Sequence, residues 1–156
     1  MDTAAPDTPR WVQRFANYDR ALVLLRQAVE VVAEHRTELD PDLFTILREG
    51  AIQRFEYTFE LAWKTLKDYL TFRKVPLDRL GPGDVIKTAF AAGYLQHGQD
   101  WMDALDARNE MSHVYRQQSF ERVFADILGR FLARFEELHE QLMIERMGWQ
   151  NARHAD

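Results

Sequence analysis

The sequence predicts an all-α protein: an antiparallel up-and-down four-helix bundle with one further short helix in the connection before the Arg108–His113 helix. Three observations carry that expectation. Apolar residues recur at three- and four-residue steps over long stretches. Proline directly follows a cap-forming residue at two helix starts. Strand-like alternation never lasts more than a few residues, and no internal repeat is visible.

The elements follow in order. Thr8-Pro9 supplies a capping hydroxyl, then proline at the first helical position. Trp11, Phe15, Tyr18, Leu22, Leu25, Val29 and Val32 form one stripe to about His35. Asp40-Pro41 repeats the start signal and opens a second helix to about Arg73. Its core face is Phe44, Leu47, Ala51, Phe55, Thr58, Phe59, Ala62, Leu66, Tyr69 and Leu70. Gly50 interrupts that helix at a cost of ~1 kcal/mol against alanine, which suggests close approach of another helix.

Val75-Pro76 ends the second helix, because the residue before proline avoids the α region. Leu80-Gly81-Pro82-Gly83-Asp84 reads as a loop, and not a phosphate loop, since no Gly-Lys-Ser/Thr follows. A short helix from Asp84 to Ala92 is closed by Gly93. Gly98 opens a helix from about Gln99 to Ser112, with Trp101, Met102, Leu105 and Met111 inward. The last helix runs from about Ser119 to Met147 on a nearly heptad seam: Phe120, Phe124, Ile127, Phe131, Phe135, Leu138 and Leu142. A core role for that seam is the expectation, and a dimer contact is the alternative. Residues 1–7 and 148–156 read as tails, which leaves one domain over 8–147.

At 156 residues the chain can bury a single-domain core. It contains no cysteine, which excludes a disulfide framework, a thiolate metal site and a cysteine nucleophile. No run approaches the ~18 apolar residues of a membrane span, and Met1–Asp7 lacks a signal peptide's basic and apolar regions. A cytoplasmic protein without membrane contact is expected. The net charge of −5 argues against a general nucleic-acid coat. The basic residues are 16 Arg against 4 Lys; arginine suits bidentate phosphate contacts, and coding bias is the plainer reading. Lys64, Lys67, Arg73, Lys74, Arg79 and Lys87 outnumber Asp68, Asp78 and Asp84, so one local surface is expected to be positive.

Metal chemistry finds little support. Glu136-Glu137-Leu138-His139 holds one Glu-x-x-His, whereas a di-iron bundle needs two plus further carboxylates. Asp100, Asp103 and Asp106 lie near a helix start, where the macrodipole favours carboxylates. No metal and no cofactor is expected.

Arg108-Asn109-Glu110-Met111-Ser112-His113-Val114-Tyr115 is the segment richest in chemistry. Histidine titrates near neutrality and suits general acid or base work. Arginine can hold a scissile phosphate, and RNA brings its own nucleophile in the 2′-hydroxyl. On one helix Arg108 and His113 stand about 140° apart. They converge only if the helix ends between them or a second subunit completes the site. The alternative is structural: both residues sit at a helix end and pair with Asp103, Asp106 or Glu110.

Two stretches carry a family resemblance. Phe55-Glu56-Tyr57-Thr58-Phe59-Glu60-Leu61-Ala62-Trp63-Lys64-Thr65-Leu66-Lys67-Asp68-Tyr69-Leu70 resembles the second helix of the nucleotidyltransferase substrate-binding protein family. Arg108-Asn109-x-x-x-His113-x-Tyr115 is similar to the Arg…His motif of the HEPN superfamily, in its HepT branch. The likeness runs from about Trp11 to Leu142.

The resemblance implies a homodimeric bundle with its Arg…His motifs meeting at the interface, and a separately encoded minimal nucleotidyltransferase as partner. In the toxin–antitoxin form it implies a metal-independent ribonuclease acting on RNA. Arg108 and His113 are then catalytic, Asn109 supports them, and Tyr115 accepts the silencing nucleotide. In the other form the chain is a non-catalytic subunit that presents substrate to the transferase. Tyr57, Glu60, Trp63, Lys64 and Lys67 then line a groove for a phosphorylated or aromatic ligand. The chain lacks the Gly-Ser…Asp-x-Asp signature of the transferase itself.

Overall fold

The computed structural model describes residues 7–38, 40–113 and 117–155. Every regular element among them is helical: α1 (Arg10–His35), α2 (Pro41–Phe72), α3 (Pro82–Ala91), α4 (Gly98–His113), α5 (Gln117–Asp126), a π-helical turn (Ile127–Phe131) and α6 (Leu132–His154).

Helix starts follow the local chemistry with two shifts. Asp40 caps α2 as expected, its carboxylate accepting from the Asp42 amide at 2.9 Å with Pro41 in the first turn. On α1, however, Pro9 is itself the cap residue and no side chain caps the helix. The Pro9 carbonyl takes the Val12 and Gln13 amides at 3.1 and 3.3 Å. The short helix α3 begins at Pro82 rather than Asp84, because proline's fixed φ suits a first turn and the Gly81 carbonyl takes the Val85 amide.

Cross-helix partners give the directions. Trp11 packs on Tyr69, Thr58 donates to the Ala21 carbonyl and Arg54 to the Leu24 carbonyl, so α1 and α2 run antiparallel. Arg134 meets Asp100, Arg130 meets Asp103 and Arg122 meets Glu110, so α4 opposes α5 and α6. Phe55 stacks on Phe131 and Phe135 at 5.5 and 5.8 Å, while Tyr18 donates to the Phe135 carbonyl. The order is up, down, up, down, with α3 leaning on α2 and α4.

The predicted stripes of the first and last helices are all buried, from Trp11 to Val32 and from Phe120 to Leu142. Burying a large apolar side chain contributes roughly 1.5–3 kcal/mol, so these faces supply much of the driving force. On α4, Trp101 and Leu105 are buried as expected, with Ala104 and Ala107 beside them and Met102 and Met111 half-buried.

Three expectations need correction. A side-chain carbon at Gly50 would meet nothing within 4 Å, so no helix approaches closely there. Instead Gly50 borders an open groove with Val31, Ile46 and Arg54. The last helix is interrupted by the π-helical turn, which adds a residue between Ile127 and Phe131 and still leaves both buried. Finally, α6 does not end at Met147 but continues through Gly148 to His154. Trp149 packs against the core there, and Arg153 stacks 5.1 Å from its ring centre.

Candidate functional site

Helix α4 carries the Arg108–His113 segment without a break, so the helix does not end between the two residues. Arg108 faces α2. Its guanidinium donates to the Glu60 carboxylate and, through Nη1, to Asn109 Oδ1 at 2.9 Å. The same group lies 5.9 Å from the ring centre of buried Phe59. His113, at the last residue of α4, is exposed. One chain therefore presents Arg108 and His113 on different sides of one helix. Tyr115 lies outside the described residues.

Glu60 is the hub of the site. One oxygen, Oε2, accepts from Arg108 and from the Trp63 indole N–H at 3.1 Å; the other lies 3.2 Å from Lys64 Nζ. Burial pushes the Glu60 carboxyl up, but the hydrogen bonds from Arg108, Trp63 and Lys64 outweigh it and hold the group below its ordinary value. One turn earlier, burial pushes the Glu56 carboxyl up, partly offset by the Arg108 charge. Lys64 and Lys67 flank the Trp63 ring at 5.9 and 5.7 Å from its centre.

Parts of the two residue sets that the sequence leaves as alternatives thus share one place. Arg108, bonded to Asn109, meets Glu60, which also holds Trp63 and Lys64, with Lys67 one turn on. Tyr57 does not join them. It stands six residues from Trp63, about 120° around the helix, and borders a different depression with Ala21, Leu24 and Arg54.

Two of the three acids offered as partners for Arg108 and His113 are engaged elsewhere. Asp103 holds Arg130 at 2.6 Å, and Glu110 takes Ser119 at 3.0 Å and Arg122. The Glu110 bonds tie the end of α4 to α5. The Glu-x-x-His pair is likewise split: His139 meets Asp19 at 2.6 Å and Glu136 meets Arg26 at 2.9 Å. Sequence reasoning missed Glu56 and Phe59 as neighbours of Arg108. Helical spacing puts Glu56 on one face with Glu60, Trp63 and Lys67, at steps of four, three and four, but nothing local points to Phe59 or ties that face to Arg108.

Known proteins share this arrangement of helices. Residues 13–144 match the family described as nucleotidyltransferase substrate binding protein like. A probable ribonuclease HepT of Haemophilus influenzae is 31% identical over 129 residues, covering 80% of this chain and 88% of the relative. A solved Haemophilus influenzae structure, described as the fold of a substrate binding domain of a nucleotidyltransferase, is similar with a TM-score of 0.74 and 29% identity. That likeness covers 83% of this chain and 98% of the other. A crystal structure from Thermus thermophilus is similar with a TM-score of 0.61 and 28% identity, over 82% and 97% of the two chains. This chain belongs to the nucleotidyltransferase substrate-binding protein family, as a HepT-like member.

Proposed function

We propose that this chain is the HEPN-type partner subunit of a minimal nucleotidyltransferase in a cytoplasmic toxin–antitoxin-like module, and that it is a metal-independent endoribonuclease. The observation that carries the reading is the fixed presentation of Arg108 by Glu60, Asn109 and Phe59 on the helix that ends in exposed His113. Glu60 and Asn109 engage two of the five guanidinium N–H donors, so the arginine is oriented and still has donors for a phosphate.

In this reaction His113 takes the proton of an RNA 2′-hydroxyl, and that oxygen attacks the neighbouring phosphorus. The bond to the 5′-oxygen breaks, and the leaving oxygen receives a proton. The products are a 2′,3′-cyclic phosphate and a 5′-hydroxyl end. Arg108 balances the charge on the pentavalent phosphorus. Because Arg108 and His113 are about 140° apart on one helix, the working pair comes from two chains of a homodimer. Nucleotidylation of Tyr115 by the partner places phosphate charge and bulk beside the pair and silences it. The test is cleavage of RNA by purified protein in EDTA, with His113→Ala as control. Equal cleavage by the variant would overturn the reading. Co-expression with the transferase should add nucleotide mass at Tyr115.

One observation favours a second reading, a non-catalytic subunit that presents substrate: Lys64 and Lys67, two half-buried cations, flank Trp63 beside the same hub. It predicts no cleavage by the purified protein, and a changed choice of acceptor by the transferase in the complex.

A further inference from the structure

A cleft of about 390 Å³ opens between the first turns of α1 and the middle of α2, lined by Arg10, Gln13, Arg14, Asn17, Leu61 and Lys64. Lys64 belongs both to this cleft and to the Arg108 hub, because its ammonium sits 3.2 Å from the Glu60 oxygen opposite the one that takes Arg108. The cleft therefore adjoins the candidate site at Lys64. Lys67 stands beside it, over the Trp63 ring.

The charge along this path is positive on a chain whose net charge is −5. Arg10, Arg14, Lys64, Lys67 and Arg108 face Glu56, Glu60 and Asp68. Asp68 is buried beneath the cleft, 3.0 Å from Arg14 Nε and 3.7 Å from Arg10 Nε. It anchors the two arginines from below, while the Arg10 side chain remains 75% exposed. Trp63 is only 7% exposed, so it offers no open ring face on which a base could stack. Cations and the two carboxamides of Gln13 and Asn17 suit phosphate and sugar oxygens rather than base edges.

We propose that this cleft carries the phosphodiester backbone of single-stranded RNA on one side of the bond held at Arg108. The role of Arg108 rests on the ribonuclease reading above, whereas binding in the cleft can be measured without cleavage. From Glu60 to Asp68 the helix rises about 12 Å, which matches three or four nucleotides at the ~3.4 Å rise of a stacked strand. Contact through the backbone makes the cleft tolerant of sequence.

The test uses the full chain carrying His113→Ala, a labelled twelve-nucleotide single-stranded RNA and a salt titration. Into that background go Asn17→Asp, which places a carboxylate in the cleft, and separately the pair Arg10→Gln and Lys67→Gln. Asn17 and Arg10 are exposed and Lys67 is half-buried with a ring contact to Trp63, so melting temperatures should fall by no more than a few degrees. The pair should weaken binding about tenfold or more, and the log–log salt slope should become shallower by roughly 1.4, two phosphates at ~0.7 each. Asn17→Asp should weaken binding in the same direction.

Unchanged affinity and slope in both variants would overturn the cleft assignment, and so would failure of the parent protein to bind the RNA. If the chain with His113 intact cleaves RNA and the cleft variants cleave and bind identically, the cleft falls and the ribonuclease reading stands. If that chain does not cleave but the cleft variants lose RNA binding, the ribonuclease reading falls and the cleft stands. Loss of transferase capture with RNA binding intact would make the cleft a protein-docking surface and overturn the proposal.

Discussion

Glu60 on α2 holds Arg108 on α4 across 48 residues of sequence, and the same carboxylate gathers Trp63 and Lys64. The pair lies over the rim of the core, with the guanidinium against the ring of Phe59. Its geometry therefore depends on how two helices pack, not on either helix alone. A guanidinium fixed from below by a carboxylate and from the side by an amide is oriented before any phosphate arrives, which is the kind of preorganisation that electrostatic catalysis requires.

Replacing that carboxylate by its neutral isostere tests the pair. Glu60→Gln should lower stability by on the order of 1 kcal/mol at neutral pH, since the partners are only partly shielded from water. The sign with pH follows from the depressed carboxyl. Its value in the folded chain lies below the ordinary 4.5, so the stabilisation is complete above that value. It is lost as pH falls through the folded-state value, because both states are then protonated. Urea midpoints of the two proteins should differ at neutral pH and draw together in acid, as pH falls below the ordinary carboxyl value and through the lower folded-state one. A gap of the same size in acid would contradict an ionic role for Glu60.

The glycines give a second test through local geometry. Gly50 lies within α2 with open space where a side chain would go, so Gly50→Ala should stabilise by about 0.5–1 kcal/mol through helix propensity. Gly98 differs, because a side-chain carbon there would sit 3.0 Å from the Phe90 ring. His97 before it already has a positive φ of 54°, so the approach to α4 is tight. Gly98→Ala should gain nothing or lose stability. Thermal melts of the two variants decide, and equal shifts would refute the distinction.

The same contrast explains what the sequence reveals. The seven-residue stripes of α1 and of the last helix are local periodicities, and every position in them is buried. Cap and stop signals place α2 to within a residue because Asp40, Pro41 and Val75-Pro76 act on their own neighbours. Four features depart from the sequence reading: three depend on packing, and one, the face of Tyr57, follows from helical spacing alone. The π-helical turn keeps Ile127 and Phe131 facing inward while swinging Arg130 onto Asp100 and Asp103 of another helix. Helix α6 passes Gly148 because Trp149 finds a tertiary partner. Tyr57 shares a helix with Trp63 but not its face. The Arg108–Glu60 bond has no spacing signature at all, because it joins distant segments. Local rules set the helices, and packing between them sets the site.

Arg48 offers a prediction about buried charge. Its residue is 5% exposed, its Nε and Nη2 are buried without a hydrogen-bond partner, and Nη1 lies 3.7 Å from Glu121 Oε1. The Phe44 ring 5.5 Å away compensates only in part for lost hydration. An apolar replacement of similar length removes that desolvation cost. Arg48→Met should be neutral or stabilise the fold by up to about 2 kcal/mol. Glu121→Ala, which removes the ion partner and leaves the guanidinium, should destabilise it. Denaturation midpoints that rank the variants in the opposite order would show that the guanidinium stabilises the fold through its present contacts.

The separation of Arg108 and His113 yields a test of the proposed two-chain site. Helix α4 is continuous from Gly98 to His113, so the two side chains of one chain cannot close on the same phosphate without unwinding the last turn. If each site takes Arg108 from one chain and His113 from the other, Arg108→Ala and His113→Ala homodimers are both inactive. Mixing the two after subunit exchange makes half of the dimers hybrid, and each hybrid has one doubly altered site and one intact site. The mixture should therefore regain about a quarter of the wild-type sites, by the twofold symmetry of the dimer. A site built within one chain would regain none, because every chain in the mixture lacks one of its two groups. RNA cleavage in EDTA, followed against mixing ratio, should peak at equal amounts and fall to zero at either end; a flat line at zero, with both variants folded and dimeric, would place the pair in a single chain.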